Sequence, residues 1–255
     1  MMRITETVKQ LIIINIIFYI GSQIVGEPAY RILALHFPLH PDFQFWQPLT
    51  SIFMHAPINQ PPGITHILFN MLGLWMFGSA LEHMWGSGKF LFFYLSCGVG
   101  ASLLNMGIDY FTFHQSMQLL LDSGIPKAEI LQTLAEGKYN TGWGDILTPL
   151  QFNNLITSYM TTGVGASGAL YGVMVAFAFM FPNAELMLIF LPIPIKAKYF
   201  VPGLIIFDLV MGVRGQAVLG EGDGVAHFAH LGGALIGFIM MWYWKKNQFN
   251  SNRWN

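Results

Sequence analysis

A serine and a histidine in two apolar stretches of the sequence have the side chains needed for nucleophilic catalysis. Ser167 lies in Gly165-Ala166-Ser167-Gly168, and His230 lies in the last apolar stretch. A serine hydroxyl becomes a good nucleophile when a nearby base takes its proton, and histidine is suited to this near neutral pH. Tyr171, one helical turn after Ser167, could stack on the imidazole and fix its orientation. The pattern predicts acyl-transfer chemistry that needs neither a metal nor a cofactor.

Acyl transfer also requires hydrogen-bond donors aimed at the oxyanion that forms during attack. His66 and Asn70 are spaced i and i+4 on one face of an earlier apolar stretch, so both could supply such donors. If a helix starts near Ser167, its backbone N–H is one of the first-turn donors that the helix leaves unsatisfied. The alternative for His66 and Asn70 is a hydrogen bond that only packs two helices together.

A metal site is the alternative for the histidines. His227 and His230, at i and i+3, could bind a metal together with His66. We expect no carboxylate or thiolate at the same depth, because Asp208 is interpreted as a structural residue whose depth is unsuited to this site. The sequence therefore predicts no metal, and His227 is expected to neighbour the site.

Glycines around Ser167 and His230 predict close contact between two helices. Gly168 and Gly172 form a small-xxx-small face, and His230, Gly233 and Gly237 share a second face. Taken alone, Gly-x-Ser-Gly more often marks helix packing than a nucleophile. Contact between the two faces would bring the imidazole within reach of the hydroxyl.

The composition indicates an integral membrane protein. The chain has 255 residues, of which 54% are hydrophobic and only 10% charged, against about 25% charged residues in soluble domains. Its mean hydropathy is +0.51. A net charge of -1 without a basic cluster gives no basis for nucleic-acid binding. The single cysteine, Cys97, excludes a disulfide framework within the chain.

Uncharged stretches predict six membrane-spanning helices, at about residues 10–26, 65–82, 89–108, 163–182, 199–213 and 225–244. The first is interpreted as an uncleaved span. Six spans place both termini on one side of the membrane. Eight Lys and Arg residues fall on that side and four on the other, which predicts cytoplasmic termini.

The loops between these spans carry further expectations. The external loop 27–64, rich in proline and aromatic residues, is expected to lie in the membrane interface. The external loop 109–162 is expected to form short amphipathic helices. Asp208 interrupts the fifth span, which is the weakest prediction, and the glycine-rich connection at 212–224 is either a linker or a mobile lid.

Three motifs together resemble the rhomboid intramembrane serine proteases. They are His66-Ile67-Leu68-Phe69-Asn70 in span two, Gly165-Ala166-Ser167-Gly168 with Tyr171 in span four, and Ala229-His230-Leu231-Gly232-Gly233 with Gly237 in span six. Glu82 and the following Gly86-Ser87-Gly88-Lys89 also look like the turn of that family between spans two and three. The resemblance covers nearly all of the chain.

The resemblance implies one all-α membrane domain over residues 1–255, a six-helix rhomboid-like bundle. It implies a dyad in which Ser167 is the nucleophile and His230 the general base and then acid, with Tyr171 packed on His230. It implies an oxyanion hole of His66, Asn70 and the Ser167 N–H, with Gly165 and Gly168 supporting the serine.

The implied substrates are transmembrane proteins, cut near the external leaflet after access beside span five. Membrane lipid is the surrounding partner, and nothing indicates an oligomeric state. The expected location is a bacterial inner membrane.

Three features depart from the family pattern. Trp46-Gln47 stands where members often have Trp-Arg, ten residues separate His55 from His66, and the connection from Asp109 to Thr162 is long. These departures leave substrate choice open. The rival functions are an inactive rhomboid-like protein that binds membrane clients, against which both Ser167 and His230 argue, and a transporter that uses the polar cluster as a relay.

Overall fold

The computed structural model describes residues 3–59, 63–188, 191–214 and 226–250 and is mostly helical. The first half contains α1 (Glu6–Val25), α2 (Glu27–Leu33), α3 (Gln47–Thr50), α4 (Ile64–Trp85) and α5 (Ser87–Asp122). The second half contains α6 (Lys127–Ala135), α7 (Pro149–Met160), α8 (Ser167–Met180), α9 (Ala197–Arg214) and α10 (His227–Asn250). Between α8 and α9, β1 (Glu185–Leu188) pairs antiparallel with β2 (Leu191–Lys196), and no sequence pattern predicted this pair of strands.

Helices lie over all six stretches that the sequence marks as spans. Among the described residues, α1, α4 and α5 are long and apolar enough to cross a membrane, and α8 is a shorter apolar helix. The all-α membrane fold expected from the sequence is confirmed. Six as the number of spans stays a prediction.

The helix contact predicted from glycine spacing is present at the centre of the bundle. Helix α10 packs against both α8 and α5. A Cβ atom added at Gly233 would lie 1.8 Å from the carbonyl oxygen of Gly168, and one added at Gly237 would lie 2.7 Å from Cα of Gly172. The two backbones therefore touch, and no side chain larger than hydrogen fits between them.

The buried carboxylate of Glu82 joins the beginnings of two helices. It accepts hydrogen bonds from the backbone N–H groups of Thr7 and Val8, each at 2.9 Å, and from the Ser87 hydroxyl at 2.7 Å. First-turn N–H groups lack partners within their own helix and attract negative charge. The start of α1 and the start of α5 are thus held at the same end of the bundle.

Helix α5 differs from its prediction because it continues to Asp122 instead of ending near residue 108. No proline interrupts it, and the Asn105 side chain donates to the Asp109 carboxylate one turn later at 2.7 Å. Its far end packs with α6 and α7, two short helices where the sequence predicted them. We call residues 109–160 the helical cap; with Phe37 they form a second core of Phe113, Met117, Leu120, Ile130, Leu134, Trp143, Leu147, Leu155 and Tyr159.

The segment between α1 and α4 is pinned by polar contacts. The fully buried Gln47 amide donates to the Asp42 carbonyl at 2.8 Å and accepts from the His36 N–H at 3.1 Å. Arg31 donates twice to the Asp42 carboxylate, and this holds the pKa of that carboxyl below its usual range. Gln47, a departure from the family pattern, therefore organises this segment with its amide.

The predicted connection at 212–224 is described only in its first three residues, which belong to the end of α9. Its remaining residues, and with them the choice between a linker and a lid, lie outside the described residues.

Candidate active site

Three helices begin, and one ends, at the face of the bundle where the chemistry-bearing residues lie. His66 is the third residue of α4, Ser167 is the first residue of α8, and His230 is the fourth residue of α10. Helix α9 runs in the opposite direction and reaches this face with its C-terminal end. The start of each helix therefore fixes the depth of its functional side chain.

Ser167 and His230 are in hydrogen-bond contact. The Ser167 Oγ lies 2.9 Å from Nε2 of His230. The Tyr171 ring stacks on the His230 ring, with centroids 4.2 Å apart and planes 11° from parallel. The nucleophile and base named from the sequence are thus brought together, and the tyrosine covers one face of the imidazole.

Asp208 corrects the sequence interpretation. Its Oδ1 lies 3.0 Å from Nδ1 of His230 and 2.6 Å from Nδ1 of His227, and its Oδ2 accepts a hydrogen bond from the Tyr171 hydroxyl. The expectation that its depth is unsuitable was wrong because Asp208 is only six residues, about 9 Å, before the end of α9 at the site face. The available signal was a carboxylate within an apolar span, which is a functional candidate by default.

The expectation that no carboxylate accompanies these histidines was wrong for the same reason. One ligand atom from each of Asp208, His227 and His230 lies within 4.8 Å of the other two. Two imidazoles and a carboxylate form a donor set that suits zinc. His66, the third histidine of the sequence hypothesis, lies outside this cluster.

Gly165 lets the segment before Ser167 run against His66. Its φ of +122° lies in a region that favours glycine, and its N–H donates to the Ser51 carbonyl at 3.0 Å. A Cβ atom here would approach Cε1 and Nε2 of His66 to 2.8 Å. Gly168 is equally confined, since a Cβ there would lie 2.5 Å from that of Ala101.

His66 and Asn70 present donors to the same cavity as Ser167. The backbone N–H of Ala56 points at Nδ1 of His66 at 3.4 Å, so the proton of the neutral ring belongs on Nε2, the atom nearest Gly165. The Asn70 amide donates to the His66 carbonyl at 2.7 Å, which leaves its second hydrogen for another acceptor. Both side chains can therefore donate into the site.

His55 lies behind His66, and the sequence pattern did not indicate that His55 would be part of the site. The two rings meet edge to face with centroids 5.2 Å apart. His55 is fully buried, and burial lowers its pKa to about 3. It is a neutral ring that supports His66. It lies in an irregular segment, where no helical periodicity could relate it to the site.

The site opens into a cavity of about 1650 Å³. Ser167, His230, His66 and Asn70 line one part of it, and polar residues of α5 and α7 line another. A peptide carbonyl inside the cavity could therefore meet a nucleophile, a base and several donors at once.

A comparison with protein families agrees with these motifs. The family model described as "Rhomboid domain" matches residues 42–115 and 146–247, which together make up more than half of the chain. Both the Ser167 and the His230 segments fall within the second range. The unmatched stretch between the two ranges lies inside the helical cap.

Curated relatives carry related names. "Rhomboid protease GluP" of Bacillus subtilis is 43% identical over 60 residues, which are 24% of this chain and 11% of that protein. "Rhomboid protein 1, mitochondrial" of Saccharomyces cerevisiae is 26% identical over 181 residues, 71% of this chain and 38% of the relative. "Rhomboid protease AarA" of Providencia stuartii is 26% identical over 206 residues, which are 77% of this chain and 54% of that protein. The chain thus spans about half of these relatives or less.

Proposed function

The chain belongs to the rhomboid family, and on this premise we propose that it is an intramembrane serine protease that hydrolyses peptide bonds in or near transmembrane segments of other membrane proteins. The observation that carries the proposal is the 2.9 Å contact between Ser167 Oγ and His230 Nε2 in an integral membrane protein. The names of two of the three relatives, each called a rhomboid protease, support the same activity.

The reaction follows from the hydrogen bond between the two side chains. Ser167 attacks the substrate carbonyl carbon while its proton passes to Nε2 of His230. The protonated imidazole then gives this proton to the leaving amine as the peptide bond breaks, which leaves an acyl-serine. Water, deprotonated by the same imidazole, hydrolyses that ester and restores Ser167.

The oxyanion formed in each step is bound by donors around the serine. The Ser167 N–H, Nε2–H of His66 and the second amide hydrogen of Asn70 are proposed as these donors, because none of these hydrogens has an acceptor among the described residues. Gly165 and Gly168 support this arrangement by letting His66 and α10 approach closely.

The substrates are proposed to be transmembrane helices that enter beside α9 and unwind near the face where Ser167 lies. We also propose cytoplasmic termini, since eight of twelve Lys and Arg residues fall on that side of the predicted spans. The proposed host membrane is a bacterial inner membrane.

Fluorophosphonate labelling of the full chain in lipid, beside a cleavage assay with a transmembrane substrate, tests the function. We expect wild type to be labelled and to cleave, and Ser167→Ala and His230→Ala to lose both activities because nucleophile or base is missing. Ser102→Ala, on α5, and His83→Ala, at an exposed position, are the matched controls and should keep both.

Two outcomes would count against a protease. One is a folded wild type that neither reacts with the probe nor cleaves in lipid, which would favour client binding. The other is cleavage that persists in Ser167→Ala.

A further inference from the structure

We infer that Asp208 is the third member of a Ser167–His230–Asp208 triad, in which it acts as the positioning residue for the imidazole. The inference rests on the proposed function and adds a carboxylate to its two-residue machinery. The contacts run in series: Ser167 Oγ to Nε2 of His230 at 2.9 Å, and Nδ1 of His230 to Oδ1 of Asp208 at 3.0 Å.

The hydrogen bond to Asp208 selects the tautomer that catalysis needs. An ionised carboxylate only accepts hydrogen bonds, so Nδ1 of His230 must carry the proton. Nε2 is then unprotonated and accepts the Ser167 hydroxyl proton. When Nε2 becomes protonated during attack, the adjacent negative charge stabilises the imidazolium.

Asp208 is itself held in one orientation. Its Oδ1 also accepts from Nδ1 of His227 at 2.6 Å, and its Oδ2 accepts from the Tyr171 hydroxyl. Its side chain is 2% exposed and that of His230 is 12% exposed. Three donors compensate for the loss of water around a buried carboxylate, and they leave it no freedom to turn away from the imidazole.

Tyr171 connects the two ends of this arrangement. Its ring lies on His230 while its hydroxyl bonds Asp208, so one side chain fixes both the imidazole plane and the carboxylate. A carboxylate that served only to join helices would not need to be aligned with the base.

The competing use of the cluster is a metal site. Tetrahedral zinc with bonds of about 2.0 Å keeps its ligand atoms about 3.3 Å apart. Both imidazole nitrogens are closer than this to Asp208 Oδ1, at 2.6 and 3.0 Å, which are hydrogen-bond distances. The geometry favours proton sharing over a metal.

The experiment measures the labelling rate of Ser167 by a fluorophosphonate, together with kcat and KM for a transmembrane substrate, in full-length protein in lipid. Labelling amplitude reports the folded fraction and the rate reports activation, so partial misfolding does not obscure the result. We expect Asp208→Asn to lower the rate and kcat by about 10²- to 10⁴-fold, with KM nearly unchanged, because the amide favours the wrong tautomer. Asp122→Asn, at the exposed end of α5, is the control and should match wild type.

Asp208→Glu separates a charge role from a packing role. A positioning carboxylate predicts that Glu retains more activity than Asn, because it keeps the acceptor charge. A packing role predicts the reverse order, because Asn preserves the shape and Glu adds a methylene group.

The triad would be overturned if Asp208→Asn kept wild-type rates, or if it were more active than Asp208→Glu. Labelling that depends on Ser167 would in that case still support the protease. Activity that is lost to a chelator and restored by zinc would also overturn it, in favour of a metal site. A wild type that neither labels nor cleaves would instead reject the proposed function.

Discussion

The contact between α8 and α10 and the core of the helical cap differ in the size of the residues that form them. In the first, glycines let two backbones touch, and Gly168 and Gly233 leave no room for a Cβ atom. In the second, large side chains such as Trp143 and Tyr159 fill the interior. Helices in lipid gain little from burying apolar surface and associate through close packing and hydrogen bonds, whereas a core formed against water gains from apolar volume.

This contrast explains where Ser167 and His230 meet. Backbone contact brings the starts of α8 and α10 close enough for Ser167 Oγ to reach His230 at 2.9 Å. The cap contributes polar wall to the cavity while its own core is closed by aromatic packing. Substitutions in the two regions should therefore have different effects on the site.

The largest expected effect is that of Gly233→Ala. Its new methyl group would lie 1.8 Å from the Gly168 carbonyl oxygen, and Gly168 cannot retreat because Ala101 lies behind it. Overpacking of this kind costs about 3 kcal/mol in unfolding free energy and moves Ser167 away from His230. The midpoint temperature of thermal unfolding and the rate of fluorophosphonate labelling should both fall sharply.

The matched control in the cap is Gly144→Ala, where an added Cβ meets nothing within 4 Å. It should behave as wild type in both measurements. Wild-type labelling in Gly233→Ala would break the comparison, because the backbone contact would then not set the geometry of the site.

A large effect confined to catalysis is expected from the double substitution of His66 and Asn70 by Ala. Removing a donor to a developing oxyanion costs about 10²- to 10³-fold in kcat. The midpoint of thermal unfolding should change little while kcat falls, because neither side chain lies in the contact between α8 and α10. Steady-state cleavage and thermal unfolding measure the two effects, with His114→Ala in the cap as control. Full activity in the double variant would remove both residues from the oxyanion hole.

The smallest effect on the site is expected from Ile130→Ala, in the core of the cap. Ile130 is fully buried on α6, and truncation there costs about 2–5 kcal/mol in the stability of its surroundings. Limited proteolysis within residues 109–162 should become faster while Ser167 labelling persists. Glu129→Ala, at the exposed neighbouring position, should change neither. Loss of labelling in Ile130→Ala would show that cap and site unfold as one unit.

The sequence predicted the parts of the site that follow from local spacing. Ser167 and Tyr171 share one helix, and the glycines beside His230 indicated which helix it would contact. Asp208 was misjudged because its contacts depend on where α9 meets α10, which spacing within one helix cannot supply. His55 was missed since its position depends on how an irregular segment folds back.

In the fold, too, local sequence patterns predicted some features, while others depend on packing between distant residues. Apolar stretches located the helices, but the end of α5 depended on Phe113, Met117 and Leu120 finding partners in α6 and α7. Such long-range packing overrides the local signal of Asp109, whose charge suggested an end. The β1–β2 hairpin follows from pairing between strands and left no clear periodic signal.

The Glu82 carboxylate has a consequence for how the protein is made. It anchors the first turn of α1, yet it is synthesised more than fifty residues after that helix ends. Helix α1 therefore waits in the membrane without its anchor until the last turn of α4 has been synthesised. Insertion comes first and docking second, and a truncated nascent chain that stops before residue 82 would hold α1 in the bilayer but not in its final position.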